Sequence, residues 1–236
     1  MWPSIITIDN FLDEADLTAI HDKIATSGFV DGHVSAGGPN LGVKHNQEMA
    51  TGPGYVEVVK LVERAVKTNI ELNYTVFPRA ITRSIVSKYE IGMSYGMHID
   101  APVMGFMAQS AAFGSFGQNY VRSDFSMTVF LSEPESYEGG ELSFDSPWGE
   151  HKYKLSQGGA IVYPTGLPHE VVPVSYGTRL AAVLWLQSMI RDHEQRRLAT
   201  DVNRLVRQLM EKDPESPETL LAMEIAANAL RTFADV

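Results

Sequence analysis

Short β-rich segments separated by glycine and proline dominate the middle of the chain. Residues 83–89 and 126–131 are rich in β-branched and aromatic side chains, and 159–163 and 180–186 follow the same pattern. Each segment is bounded by glycine, by proline or by a short polar turn. Strands of this length and frequency predict a β-sandwich or barrel of mostly antiparallel strands. A jelly roll, also called a double-stranded β-helix, is the expected core.

Helical periodicity flanks this region on both sides. Apolar residues recur at helical spacing over 12–24 and 55–70, so two amphipathic helices are expected to pack outside the barrel. After residue 191 the same spacing returns, and Ser216-Pro217-Glu218 is typical of a helix start. We therefore predict an α+β protein with a jelly-roll domain in 1–191 and a helical hairpin in 192–236. The hairpin either packs on the barrel or forms a homodimer surface.

Two further segments are expected to be irregular. The glycine-rich stretch 28–54 predicts loops, and its His33 and His45 are either solvated or within reach of an active site. Residues 101–120 place methionine and phenylalanine among small residues. This second segment is expected to form a mobile lid over a substrate, or alternatively an ordered apolar hairpin in the core.

Composition excludes several classes of function. A chain of 236 residues that is 44% hydrophobic can bury a full core as one domain with extensions. It contains no cysteine, which removes disulfides, thiolate metal ligands and a cysteine nucleophile. The net charge of −10 disfavours binding to nucleic acid or to anionic membranes. No run of about 18 apolar residues and no signal-peptide pattern is visible, so a cytoplasmic location without membrane insertion is expected.

Three side chains that suit a metal ion lie at the ends of predicted strands. In His98-Ile99-Asp100 the first and third residues share one face of a strand, so both can bind the same ion. About one His-x-acid pair is expected by chance from this composition, so the pair alone is weak. The strand context and a second histidine, His169, carry the inference. Two imidazoles and one carboxylate are the facial triad that holds non-haem Fe(II) with open coordination positions.

An arginine accompanies this set. Arg179 follows His169 by ten residues and opens the last predicted strand. Its planar guanidinium can hold a carboxylate through two hydrogen bonds. A metal with open positions and a carboxylate clamp together indicate an oxygenase that uses a 2-oxo acid.

These residues carry a family resemblance that covers nearly the whole chain. Residues 81–191 resemble the Fe(II)/2-oxoglutarate dioxygenase superfamily, in its prolyl-4-hydroxylase-like branch. The likeness is greatest to the bacterial PKHD-type hydroxylases. The segments that carry it are Ile8–Leu12, Gly139–Leu142, Tyr163-Pro164 and Trp185–Arg191.

The resemblance implies roles for particular residues. His98, Asp100 and His169 would bind Fe(II), and Arg179 would clasp the distal carboxylate of 2-oxoglutarate. Tyr89 matches a tyrosine that touches the cosubstrate in this branch, with a buried structural tyrosine as the alternative. The implied reaction uses O2 to hydroxylate an aliphatic C–H bond and releases succinate and CO2. Ascorbate is the expected reductant and a candidate ligand.

Other residues and the substrate stay open. Tyr95 and Trp185 either line the pocket or belong to the core. Residues 122–124 contact substrate, anchor the lid, or form an ion pair that supports the rim. The branch suggests a prolyl or lysyl residue of a protein, while a small amino-acid-like molecule suits the same pocket. A zinc-dependent hydrolase and a non-catalytic metal-binding jelly-roll protein are the alternatives to a dioxygenase.

Overall fold

The computed structural model describes residues 5–35, 42–104, 120–146 and 149–236. The strands are β1 (Ile6–Ile8), β2 (Phe29–Asp31), β3 (Lys44–His45), β4 (Gln47–Met49), β5 (Pro78–Ile81), β6 (Ile85–Tyr89), β7 (Ser94–His98), β8 (Val103–Met104), β9 (Val121–Arg122), β10 (Phe125–Phe130), β11 (Tyr137–Glu138), β12 (Leu142–Ser146), β13 (Gly149–Tyr153), β14 (Ala160–Pro164), β15 (His169–Val171), β16 (Tyr176–Gly177) and β17 (Arg179–Ser188). The helices are α1 (Glu14–Ala25), α2 (Pro53–Thr68), α3 (Ile70–Thr75), α4 (His193–Lys212) and α5 (Pro217–Phe233).

Two antiparallel sheets form the jelly roll within the described residues. The larger sheet has the strand order β1-β14-β10-β17-β6-β4-β2, with β5 also paired to β17. The smaller sheet has the order β13-β12-β15-β7-β3. Two short pairs, β11 with β16 and β8 with β9, complete the described strands. The predicted α+β architecture with a mostly antiparallel core is confirmed.

The central strand β10 shows how the layers are built. All six residues of Phe125–Phe130 are buried, because the strand has packed layers on both faces. Its odd-numbered side chains join the core between the larger sheet and the helices. Its even-numbered side chains face the interior of the jelly roll, where Ser126 and Thr128 are almost fully buried. A central strand therefore brings polar side chains into the space between the sheets.

The N-terminal helices cover the outer face of the larger sheet, as predicted. Helix α1 begins where the Asp13 side chain accepts a hydrogen bond from the backbone N–H of Asp16 (2.7 Å), a normal N-cap. Its Ile20 and Ile24 pack with Val58 and Val62 of α2 against the sheet. In the described part of the chain, no helix is long and apolar enough to cross a membrane.

The C-terminal helical hairpin is present and one edge of it packs on the barrel. Helix α5 begins at Pro217 after Ser216, whose hydroxyl accepts from the Thr219 N–H. The α4 residue Ala199 lies in a buried cluster with Phe77 and Ile190. The outward faces of both helices retain exposed apolar side chains: Leu198, Leu205, Met210, Leu220, Leu221, Met223 and Ile225.

The expectation that residues 28–54 form loops is wrong for the part that the structure describes. Strands β2 and β4 extend the larger sheet, and β3 extends the smaller one. Strands of two or three residues are too short to produce a periodic pattern, so the prediction of loops was based on the glycine content. The lid predicted at 101–120 falls largely on residues 105–119, which lie outside the described residues. Strands β8 and β9 pair on either side of that segment.

Candidate metal centre

Two neighbouring strands of the smaller sheet place the two histidines together. His98 ends β7, His169 begins β15, and the two residues are direct partners across the antiparallel pair. Asp100 follows β7 by two residues and projects to the same side. The local i, i+2 geometry was predictable, whereas the cross-strand register depends on the whole fold. The three side chains consequently converge at one end of the jelly roll.

The geometry of this cluster suits a single ion. One ligand atom from each of the three residues lies within 4.8 Å of the others. Asp100 Oδ1 is 3.7 Å from His98 Nε2, and Asp100 Oδ2 is 3.7 Å from His169 Nε2. The imidazole centroids are 4.3 Å apart and both histidines are buried. Two nitrogens and a carboxylate therefore face one small volume.

The backbone determines which nitrogen of each ring is free. His98 Nδ1 lies 2.8 Å from the carbonyl oxygen of Gly96, and His169 Nδ1 lies 2.8 Å from that of Leu167. A carbonyl oxygen only accepts hydrogen bonds, so the proton of each neutral ring belongs on Nδ1. The Nε2 lone pairs are then directed at the shared volume, which is the arrangement of metal-binding histidines.

The carboxylate is also held in place. Asp100 Oδ2 accepts hydrogen bonds from the Ser126 hydroxyl (2.7 Å) and from the Trp185 indole N–H (2.9 Å). The Ser126 hydroxyl lies 3.2 Å from that of Thr165. Of the two sequence interpretations for Trp185, this contact favours the pocket. Ser126 and Thr165 were not predicted, although a serine inside the apolar strand β10 was a visible signal for Ser126.

Aromatic rings enclose the histidines. The ring of Tyr95 stacks on His98 with centroids 3.6 Å apart, so Tyr95 also belongs to the site. Tyr163 meets His169 edge-on at 5.0 Å. Burial, and next the charge of His169, lowers the pKa of His98 to about 4. His98 is therefore neutral near pH 7, which is the form that binds a metal.

Arg179 is buried in the same interior. It is 1% exposed, and it forms no ion pair with a carboxylate in the described part of the chain. Its Nε has no hydrogen-bond partner there. Its Cζ lies 5.1 Å from the ring centroid of Tyr89, its cross-strand partner, and 5.7 Å from that of Phe130. A buried cation without an anion is unfavourable alone, so this part of the interior is suited to a bound carboxylate.

A buried ion pair between β3 and β4 connects the smaller sheet to the larger one. Lys44 Nζ lies 2.5 Å from Glu48 Oε1 and donates to the Ser35 hydroxyl at 2.6 Å. It also lies 5.4 Å from the centroid of Tyr95, the ring that stacks on His98. The prediction missed Lys44, Glu48 and Ser35, because they lie in the stretch 28–54, which was interpreted as loops.

Other sequence candidates lie away from the cluster. Arg122 Nε donates to Asp124 Oδ1 (2.8 Å), and Asp124 Oδ2 accepts from the backbone N–H of Ser188 (2.8 Å). This pair ties β9 to β17, in agreement with the interpretation as a rim support. His33 and His45 are exposed, and His33 pairs with the neighbouring Asp31.

Comparison with known proteins identifies the family. Residues 84–187 match the model of the 2OG-Fe(II) oxygenase superfamily. A PKHD-type hydroxylase of Crocosphaera subtropica is 39% identical over 232 residues, which are 98% of this chain and 100% of the relative. The chain belongs to the PKHD-type hydroxylases. A second one, from Gloeothece citriformis, is 36% identical over 98% of this chain and 100% of its own length.

A solved structure shows the same fold. It is a prolyl hydroxylase from Trichoplax adhaerens in complex with a peptide fragment of the hypoxia inducible factor oxygen degradation domain. It superposes with a TM-score of 0.57 at 19% identity and covers 82% of this chain and 86% of that one. The chain is therefore an Fe(II)- and 2-oxoglutarate-dependent oxygenase of the hydroxylase class, with a jelly-roll core.

Proposed function

We propose that His98, Asp100 and His169 hold the Fe(II), and that Arg179 binds the distal carboxylate of 2-oxoglutarate. The observation that carries the proposal is the convergence of three metal-binding side chains in the interior that also contains a buried guanidinium, which forms no ion pair with the described residues. Tyr89, under that guanidinium, forms part of the cosubstrate wall. The reaction is hydroxylation of an aliphatic C–H bond.

The donor set fits ferrous iron. Two neutral imidazoles and one carboxylate leave positions free for a chelating 2-oxo acid and for O2. The same ligands also suit zinc. A zinc hydrolase, however, has no need for a buried arginine without an anion, and neither does a metal-binding protein without activity. Within the described ranges Arg179 forms no ion pair, and this fact and the family both favour the oxygenase.

Each part of the chain contributes a defined step. When bound, Fe(II) would activate O2, which is the oxidant, while 2-oxoglutarate supplies two electrons by losing CO2; one oxygen atom enters the substrate C–H bond and the other enters the succinate that is released. The carbonyls of Gly96 and Leu167 retain the Nδ1 protons and thereby orient the rings. Ser126 and Trp185 orient the Asp100 carboxylate. The enclosing aromatic rings limit the access of water.

The mouth of the site supports an aliphatic substrate. Trp185 and Met104 form an apolar cluster beside Asp100, with the following neighbours packed around them: Ile85, Ala101, Val121 and Val183. Such a surface favours a carbon chain over a charged group. We propose a prolyl or lysyl side chain of a peptide as the acceptor of the hydroxyl group. The Trichoplax relative holds a peptide, and a small amino-acid-like molecule is the alternative result of the test below.

Turnover of the cosubstrate tests the activity. Purified protein loaded with Fe(II) is expected to convert 2-oxoglutarate to succinate, slowly without substrate, and Arg179→Ala is expected to lose this turnover. Arg204→Ala is the control, because Arg204 is exposed on α4. If the Zn(II)-loaded protein hydrolysed a substrate and the Fe(II)-loaded protein produced no succinate, the proposal would be overturned in favour of the hydrolase.

Substrate capture tests the substrate class. Protein loaded with Mn(II) and 2-oxoglutarate would be used to bind peptides from a digest, and the bound molecules would then be offered to the Fe(II) form. A gain of one oxygen atom on a prolyl or lysyl residue supports the peptide proposal. Modification of free amino acids alone would contradict it.

We also propose three properties that the fold leaves open. The absence of cysteine suits a cytoplasmic location, and the exposed apolar faces of α4 and α5 suit a homodimer. Ascorbate is the proposed reductant. Light scattering of the full chain tests the dimer, since a monomer at all concentrations would exclude it. Omission of ascorbate from multiple-turnover assays tests the reductant.

A further inference from the structure

A buried tyrosine hydroxyl beside the buried arginine has no acceptor for its proton. Tyr137 begins β11 and is 2% exposed. The guanidinium of Arg179 lowers the pKa of this hydroxyl through its charge and as a nearby donor, although burial has the larger and opposite effect. A guanidinium cannot accept a hydrogen bond, so among the described residues the hydroxyl proton has no acceptor, and the Nε of Arg179 has no partner. Two donors that lack an acceptor therefore lie next to each other in the interior.

The backbone brings these two side chains together at Gly140. A Cβ added at Gly140 would lie 3.0 Å from Arg179 Cδ and 3.1 Å from Tyr137 Cε2. Only a residue without a side chain allows the backbone between β11 and β12 to pass this close to both. The positive φ of Gly140 (67°) also favours glycine. The close approach accounts for the second glycine of the Gly139–Leu142 motif.

The tyrosine ring is fixed from its other side as well. Lys154 Nζ donates to the backbone oxygen of Tyr137 at 2.6 Å and lies 4.0 Å from the centroid of its ring. If the ring turned its hydroxyl to solvent, it would lose this contact with the Lys154 ammonium. A buried hydroxyl whose proton has no acceptor is uncommon in native proteins and indicates a missing ligand.

The chemistry of the pair specifies that ligand. A carboxylate has two oxygens and accepts hydrogen bonds from a guanidinium and from a hydroxyl at once. Because burial raises the pKa of Tyr137, the hydroxyl keeps its proton near neutral pH and acts as a donor. A cation and a neutral donor side by side are complementary to one anionic group.

We propose that the Tyr137 hydroxyl donates a second hydrogen bond to the distal carboxylate of 2-oxoglutarate, beside Arg179. This inference rests on the proposed function, in which Arg179 binds that carboxylate. Tyr137 would then help the site to select a dicarboxylic 2-oxo acid over a monocarboxylic one. Neither the spacing nor the resemblance of the sequence indicated this residue.

Calorimetric titration of the Fe(II)-loaded protein without oxygen tests the proposal. Tyr137→Phe is expected to weaken 2-oxoglutarate binding about 10- to 100-fold, the range for a hydrogen bond to a charged group. Binding of 2-oxopentanoate, which has the same chain length but no distal carboxylate, is expected to be unchanged. Tyr55→Phe is the control, since that buried hydroxyl donates to the Ser84 carbonyl (3.0 Å) and should affect neither ligand.

Thermal unfolding supplies a readout that a purely structural role would not give. Without ligands, Tyr137→Phe should unfold at the same temperature as the wild type or higher, because the proton of the lost hydroxyl had no acceptor among the described residues. The stabilisation on addition of 2-oxoglutarate should shrink. Equal affinity of the variant and the wild type for 2-oxoglutarate would overturn the inference, and so would an equal loss for both 2-oxo acids. A wild-type protein that binds no 2-oxoglutarate would instead overturn the proposed function itself.

Discussion

The two hydrogen bonds to Asp100 offer a quantitative test of how the metal site is held. Ser126 and Trp185 donate to the same carboxylate oxygen at 2.7 and 2.9 Å. Loss of a group that orients a metal ligand typically costs 10- to 100-fold in metal affinity. Each single variant, Ser126→Ala or Trp185→Phe, retains one donor, so we expect the lower end, about tenfold or 1.4 kcal/mol. The double variant lacks both of these donors and should bind Fe(II) about 100-fold more weakly.

Fe(II) affinity would be measured by competition with a chelator under anaerobic conditions. Ser143→Ala is the matched control, because its hydroxyl donates to the Glu150 carboxylate at 2.8 Å outside the site. Trp185→Phe keeps an apolar ring in the mouth cluster, which separates the hydrogen bond from packing. Wild-type iron affinity in the double variant would refute the view that these groups orient Asp100.

Three further predictions concern stability. Gly140→Ala should destabilise the fold by about 1–2 kcal/mol or more in urea unfolding, because φ is 67° there; unchanged stability would contradict this. Lys44→Met should lower the free energy of unfolding by about 3–5 kcal/mol, because it leaves the Glu48 charge buried without a partner. The double variant Lys44→Met, Glu48→Leu should lose much less, because it removes both charges. Equal losses in the two variants would argue against a buried pair. Burial and His169 lower the His98 pKa from 6.5 to about 4, so the unfolded chain binds more protons between these values. The metal-free protein should therefore lose stability as pH falls through this window, and an identical slope in His98→Gln would count against the assignment.

Features set by local geometry were predictable from the sequence. His98 and Asp100 share a face because strand side chains alternate, and this holds in any strand. The helix starts after Asp13 and Ser216 follow from side chains that accept a backbone N–H. The outward packing of α1 and α2 follows from their apolar stripes. The fold class and the family rested on such local signals.

Features that depend on register between distant segments were not predictable. The pairing of His98 with His169 requires β7 and β15 to align, and no local pattern specifies that alignment. Ser126 becomes a partner of Asp100 only because β10 faces the same interior. Lys44 comes from a two-residue strand, which is too short to recognise by alternation. Contacts between sheets therefore account for most of what the sequence did not reveal.

A crystal structure with Mn(II) and 2-oxoglutarate bound is the most direct test of the central claim. The account predicts one metal ion bonded to Nε2 of His98, Nε2 of His169 and the Asp100 carboxylate. It also predicts the distal carboxylate of 2-oxoglutarate within hydrogen-bond distance of Arg179. An ion bound elsewhere, or a cosubstrate whose distal carboxylate lies away from Arg179, would contradict the account.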